Sequence, residues 1–305
     1  MRFTSLQSLL AAAVFTQSSF AALRQHSLVI TNGTNNADGT PRPSWFINGA
    51  TPGPHLVWDE GDDISVTVTN RGFEPTTIHW HGISQFGTPW SDGVPGLTQY
   101  PIKPGQSLVY NFTVNQAGHH WYHSHSKTQL DDGLKGTIYI RPKTSRPRPF
   151  AQITNDSTIL TQLLKAEANP LPLNVYDYRH YTSEYLMEEW QRTDIEQLCT
   201  DNILVNGKGP VRCQDMSLLQ SVANPLQLPV TKKGCMYPNS TLMYPFPDSK
   251  PETVNQEMWY QCTNSSTSYE VFTAKKSDGW ISFNLLNSGG VWDLRVSIDQ
   301  HKLYF

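Results

Sequence analysis

The sequence predicts an all-β protein, and three observations carry that reading. Runs rich in β-branched and aromatic residues recur from Ser27 to Ile140: Ser27-Leu28-Val29-Ile30, Ile64-Ser65-Val66-Thr67-Val68, Ser107-Leu108-Val109-Tyr110-Asn111-Phe112 and Thr137-Ile138-Tyr139-Ile140. Gly, Pro, Asn and Asp separate them, which is the punctuation of turns. Many of the runs alternate apolar and polar residues, the period of a strand with one buried face. Many short strands at this spacing give a sandwich or small barrel, and the segment is long enough to bury its own core.

The chain opens with the pattern of a secretory leader over residues 1–21. Arg2 supplies the positive start, Leu9 to Phe15 an apolar core, and Ser19-Phe20-Ala21 a small-x-small cleavage site. The apolar run is too short to span a bilayer, and no later stretch is long and apolar enough either. An exported protein is therefore expected. The formal net charge of -3 gives no basic surface for nucleic acid. Asn-x-Ser/Thr sequons begin at Asn32, Asn111, Asn155, Asn239 and Asn264, which in an exported chain predicts a glycoprotein. Asn111 is the weakest of them because it falls within a strand.

The chemistry concentrates between His79 and His125. His79-Trp80-His81-Gly82 and His123-Ser124-His125 are two His-x-His pairs, each led in by strand-like residues, Thr77-Ile78 and Trp121-Tyr122. Residues i and i+2 of a strand share a face. Two such strands side by side would present four imidazoles to one place, and imidazole suits copper, zinc, iron and nickel. One pair alone reads more simply as a strand with two partly exposed histidines; two pairs on neighbouring strands favour a metal. The i, i+2 separation of ~6.5–7 Å lets the rings meet at one ion or reach two neighbouring ions, and the spacing leaves both open. A cupin-like single-metal site would want a carboxylate soon after the first pair, but the next acid is Asp92.

The full set of motifs resembles a known family. His79-Trp80-His81-Gly82, Ser91-Asp92-Gly93, Thr98-Gln99-Tyr100-Pro101-Ile102 with Pro104-Gly105, Trp121-Tyr122-His123-Ser124-His125 and Asp132-Gly133-Leu134-Lys135-Gly136 follow one another. Their order and spacing are similar to those of the first cupredoxin domain of multicopper oxidases, in the secreted fungal branch of laccases and their relatives. The resemblance is strong over residues 25–142 and looser beyond.

The resemblance implies cupredoxin-like Greek-key β-sandwich domains. It divides the chain into a first domain at 22–142, a linker at 143–157 containing Pro147 and Pro149, and a second, incomplete domain at 158–305. Asp201 to Gly209 and Ile281 onward resemble parts of the family's second domain, and the end at Tyr304-Phe305 reads as the middle of a strand. The family's third domain, with its further His-rich strand and His-Cys-His segment, has no match in this sequence. The implied cofactor is copper: His79 at a type 2 ion, His81 and His123 at one type 3 ion, and His125 at the other. Asp92 matches an acid that the family places near the cluster, which makes it the candidate proton relay; its plain reading is a turn aspartate. Asp132 is likewise a good turn residue. His119 and His120 stand where the family has Thr and an aromatic. Alternation puts His119 on the ligand face, as an extra ligand or, more simply, as a strand-packing histidine.

The implied activity is laccase-like, with one-electron oxidation of a small reducing substrate coupled to four-electron reduction of O2 to water. A phenol is the family's commonest substrate in this branch, and ferrous iron and ascorbate are the rivals. A copper-binding or interaction fragment without turnover is the alternative. The implied location is extracellular or cell wall.

The second half adds two local expectations. Ser183 to Cys199 is rich in Glu, Gln, Leu and Met and predicts one or two short helices. All four cysteines lie here, and in an oxidising compartment they predict two disulfides. Three pairings are open; the sequence-local one, Cys199–Cys213 with Cys235–Cys262, is the expectation.

Overall fold

The computed structural model describes residues 22–240 and 248–305. The expected leader lies outside the described residues. Eight strands build the first part of the chain: β1 Leu23–Asn35, β2 Arg42–Ile47, β3 Leu56–Asp59, β4 Asp63–Asn70, β5 His79–His81, β6 Ser107–Thr113, β7 Gly118–His123 and β8 Lys135–Arg141. They form two four-stranded sheets, ordered β2-β1-β4-β6 and β3-β8-β7-β5. β1 runs parallel to β4 and β3 parallel to β8; the other neighbours are antiparallel.

Alternation decides which face of each strand goes inside. In β4, Ile64, Val66 and Val68 are buried while the residues between them are not. The two inner faces close on one core that includes Leu28, Ile30, Trp45, Trp58, Trp80, Tyr110, Phe112, Tyr122 and Ile138. Trp80 lies at its centre, with ring centroids 6.2 Å from Trp58, 5.5 Å from Tyr110 and 5.2 Å from Phe112. Full burial of an indole contributes about 2–3 kcal/mol, so Trp80 fixes which way β5 faces. Its neighbours His79 and His81 must then point out of the sandwich.

The second part holds a three-stranded sheet, β10-β9-β11, from β9 Leu171–Tyr178, β10 Asn202–Val205 and β11 Phe283–Asn287. The same part of the chain contains helices α1 Ser157–Ala168, α2 Ser183–Thr193, α3 Met216–Val222 and α4 Gln256–Tyr260. Helix α1 has no counterpart in the sequence-based expectation. Asp156 starts it by accepting from the Thr158 and Ile159 amides. Helix α2 accounts for the helical reading of 183–199 only as far as Thr193, where Asp194 turns left-handed at φ 57° and ends it. The expected strand around Tyr304-Phe305 is irregular chain here; no ladder partner lies beside it among the described residues.

The disulfide expectation is overturned. The bonds are Cys199–Cys235 and Cys213–Cys262, with Cα separations of 5.4 and 5.8 Å. Packing brings the first pair together: Cys199 and Cys235 share an apolar cluster with Leu186, Ile195, Met258 and Trp259. Backbone alignment brings the second. Ser265 donates its amide to the Val211 carbonyl at 3.2 Å, and the Cys213 amide donates to Asn264 Oδ1 at 2.8 Å, so Cys213 runs beside Cys262.

Strand β8 is buried on both faces. Ile138 and Ile140 face the sandwich core, and Lys135 and Tyr139 face the second part of the chain. Lys135 donates to the Ser288 carbonyl at 2.8 Å and sits 3.8 Å over the Tyr176 ring. Burial pulls its pKa down to about 8. Asp132 is more than a turn residue. Its carboxylate pairs with buried Arg42 and accepts from the Ser183 amide at 2.9 Å and the Ser183 hydroxyl at 2.6 Å, tying α2 to the sandwich. Removing one partner of a buried pair of this kind costs about 3–5 kcal/mol.

Candidate metal centre

β5 and β7 are antiparallel neighbours, with His79 opposite His123 and His81 opposite Trp121. Alternation therefore brings His79, His81 and His123 to the outer face of one sheet. One ring nitrogen from each lies within 4.8 Å of the other two. Strand β7 ends at His123, so His125 follows on irregular chain. Its ring still approaches the group, with centroids 5.5 Å from His79 and 6.3 Å from His123. The four histidines picked out by their spacing thus lie together.

Hydrogen bonds set the ring orientations. His79 donates Nδ1–H to the Asp92 carbonyl at 2.6 Å, and His123 donates Nδ1–H to the Ser124 carbonyl at 2.9 Å. A carbonyl can only accept, so both rings carry their proton on Nδ1 and leave the Nε2 lone pair free for a metal. His81 Nδ1 lies 3.4 Å from His123 Nε2. Two imidazole nitrogens each about 2 Å from one ion stand at this separation, so the pair fits a shared ion. Burial holds the His123 imidazole down at about 4, and the nearby His79, His81 and His125 act in the same direction. Burial first, and then His79, His120 and His125, also lower His81. Both rings are neutral at pH 7, the form that ligates. This donor set, imidazoles without a thiolate or a bound carboxylate, fits copper.

Trp121 packs against two of the rings, with centroids 4.2 Å from His123 and 5.1 Å from His81. It restricts the rotation of both.

Asp92 comes from the loop between β5 and β6. The 3-10 turn Pro89–Ser91 delivers it, and Ser91 anchors that turn by donating its hydroxyl to the Asn111 carbonyl at 2.9 Å. Gly93 follows at φ +83°, so close to β5 that a Cβ there would lie 1.9 Å from the Ile78 carbonyl oxygen. Only glycine allows that approach. The half-buried Asp92 carboxylate lies 3.5 Å from His79 Nδ1, beside the histidine group but outside it.

His119 is not brought into the group. It faces the second part of the chain, with Nδ1 3.4 Å from the Leu285 carbonyl, and burial lowers it to about 4. This is the strand-packing role. His120 uses Nε2–H on the Gln116 carbonyl at 2.9 Å. Trp121 takes the second of its two sequence readings, core or site wall. Gln129, a single amide in a loop, gives no sequence signal at all.

Comparison with known proteins agrees with this geometry. The family model for multicopper oxidases matches residues 29–145. Multicopper oxidase MCE of Talaromyces pinophilus is 39% identical over 283 residues, which are 91% of this chain and 47% of that protein. Laccase abr2 of Aspergillus fumigatus is 36% identical over 305 residues, 97% of this chain and 51% of that protein. The chain thus spans about half the length of the curated relatives it matches. Among solved structures, the laccase of Botrytis aclada superposes with a TM-score of 0.50 at 32% identity, covering 67% of this chain and 33% of that one. Fet3p, described as a multicopper oxidase that functions in iron import, gives 0.50 at 31% identity over 61% of this chain and 33% of its own. From strand order, histidine geometry and these matches together, the chain belongs to the multicopper oxidase family.

Proposed function

We propose that this chain contributes the first copper-binding face of a secreted, laccase-like oxidase that couples one-electron oxidation of phenols to reduction of O2 to water. The observation that carries the reading is the 3.4 Å approach of His81 Nδ1 and His123 Nε2 beside His79. Residues 22–142 form the first cupredoxin domain in this reading, 143–157 the linker and 158–305 part of a second.

Copper held here supplies an electron acceptor that can be oxidised again by oxygen. The protein's own share is orientation and protons. His81 and His123 would hold one type 3 ion, His125 the second, and His79 the type 2 ion. Oxygen reduction consumes four protons for each O2, and in this reading Asp92 hands them in, a role supported by the 3.5 Å separation of its carboxylate from the His79 ring. Ferroxidation is the second reading, favoured by the likeness to Fet3p.

Oxygen uptake by the complete copper-loaded oxidase to which this chain contributes that face, measured with a phenol and with ferrous iron, tests both. Uptake with the phenol supports the laccase reading, and uptake with iron alone the ferroxidase reading. Copper binding without uptake from either donor would return the chain to a copper-binding module.

A further inference from the structure

Three of the four histidines are fixed by the sheet itself: His79 and His81 by β5, and His123 by its pairing with His79. His125 is not. The ladder stops at His123, and only the turn at Ser124 separates the last paired ligand from the unpaired one. What holds that turn decides where the His125 ring stands.

A buried polar cluster lies beneath it. The Gln129 side-chain oxygen accepts from the Thr76 hydroxyl at 2.7 Å and from the Ser124 hydroxyl at 2.7 Å. Its amide nitrogen donates to the Pro75 carbonyl at 3.1 Å. Ser124 Oγ in turn accepts from the Ser126 amide at 3.1 Å. Thr76, Ser124 and Gln129 are 0%, 2% and 4% exposed, so these bonds are made away from water, where losing one is costly. Pro75 and Thr76 belong to the segment that leads into β5, whereas Ser124 lies between His123 and His125. Both lone pairs of one amide oxygen therefore join the two ligand-bearing segments. The loop is closed behind it by the Ser124 amide on the Leu134 carbonyl at 2.9 Å and the Leu134 amide on the Gln129 carbonyl at 3.1 Å.

We propose that Gln129 is a positioning residue for the copper site, one that sets His125 against His79 by clamping the Ser124 turn to the approach of β5. The proposal rests on the reading of His125 as a ligand. Groups that orient metal ligands from behind typically govern affinity by about 10–100-fold, and Gln129 acts at one step further back, through the main chain of the turn.

The test is copper affinity of the full chain, by chelator competition, with the electron paramagnetic resonance spectrum of bound Cu(II) recorded on the same samples. Gln129→Met keeps the volume and removes the clamp. Binding is expected to weaken by about 10–100-fold with a changed spectrum. Gln129→Glu, which keeps an acceptor oxygen for both hydroxyls, recovers part of the loss. In a His125→Ala background, Gln129→Met adds nothing, because the residue it positions is gone. Unchanged affinity in Gln129→Met, or a loss that adds in full to that of His125→Ala, overturns the proposal. Wild-type affinity in His125→Ala alone overturns the ligand reading instead, and the proposal with it. Should Gln129→Met fail to fold, Ser124→Ala removes a single hydroxyl and is measured in the same two backgrounds, with a several-fold loss expected only where His125 is present.

Discussion

The ring of His79 and the main chain of Asp92 are joined by a 2.6 Å hydrogen bond from Nδ1–H to the carbonyl oxygen, while the carboxylate of the same aspartate lies 3.5 Å from that nitrogen. Orientation of the ligand is thus the work of the Asp92 backbone. The side chain is left for something else. Asp92→Asn keeps the carbonyl and is expected to retain full copper content. Oxygen uptake should fall by about a hundredfold, the low end for loss of a proton-transfer group, and fall further as pH rises. An unchanged pH–rate profile at full copper loading would make Asp92 a turn residue only.

His81→Ala and His123→Ala each remove one of two nitrogens that fit a common ion. In the complete oxidase both variants should lose copper and reduce oxygen uptake to background, because ligand number sets metal affinity. Copper analysis and an oxygen electrode on the purified variants decide this. Near-normal turnover in either would remove these residues from the ligand set.

Gly93→Ala forces a Cβ into the Ile78 carbonyl at a positive φ. A loss of about 2–4 kcal/mol is expected, read from thermal or urea unfolding. Copper affinity should fall with it, since the displaced loop carries the carbonyl that orients His79. A stable, normally loaded variant would show that the loop is free to move aside.

The disulfide pairing is open to direct mapping. Proteolysis without reduction should release peptides joined through Cys199–Cys235 and Cys213–Cys262. The double variant Cys199→Ser, Cys235→Ser should lose about 2–4 kcal/mol of stability. A Cys199–Cys213 peptide would contradict the packing described for this region.

His119 makes stability depend on pH. Burial lowers its pKa from the ordinary 6.5 to about 4, so the unfolded chain takes up this proton first as pH falls. Its contribution is complete above 6.5 and is lost between 6.5 and about 4, with a slope of at most about 1.4 kcal/mol per pH unit. Unfolding midpoints of the wild type and His119→Phe, compared across that window, should show a shallower acid limb in the variant.

The ligand strands could be read from the sequence because their signal is local. A Trp between two histidines, on a chain that alternates, already says which way the histidines face. His125 carried the same spacing, but it lies past the end of the strand, and the structure that steers it comes from Gln129, a nearby loop amide whose own partners Thr76 and Pro75 are distant in sequence. Asp132 shows a different limit. Asp-Gly is a turn signal, and nothing in the dipeptide indicates that Arg42 and Ser183 will close around the carboxylate. The cysteines fail for a related reason. Distance along the chain favours Cys199–Cys213, whereas partners are chosen by a cluster around Trp259 that forms only once α2 and α4 have packed.

Strand β5 stands at the outer edge of its sheet, three residues long and hydrogen-bonded on one side only. So short an edge offers foreign strands little to pair with. It is also weakly tethered, with the Trp80 side chain as its main anchor. An ion shared by His81 and His123 would act as a rivet between the outermost strand and its neighbour, supplying the lateral restraint that a longer ladder gives elsewhere. The metal would then be part of the masonry as well as the chemistry, and its removal should be felt first as fraying at this margin, before the aromatic interior is disturbed.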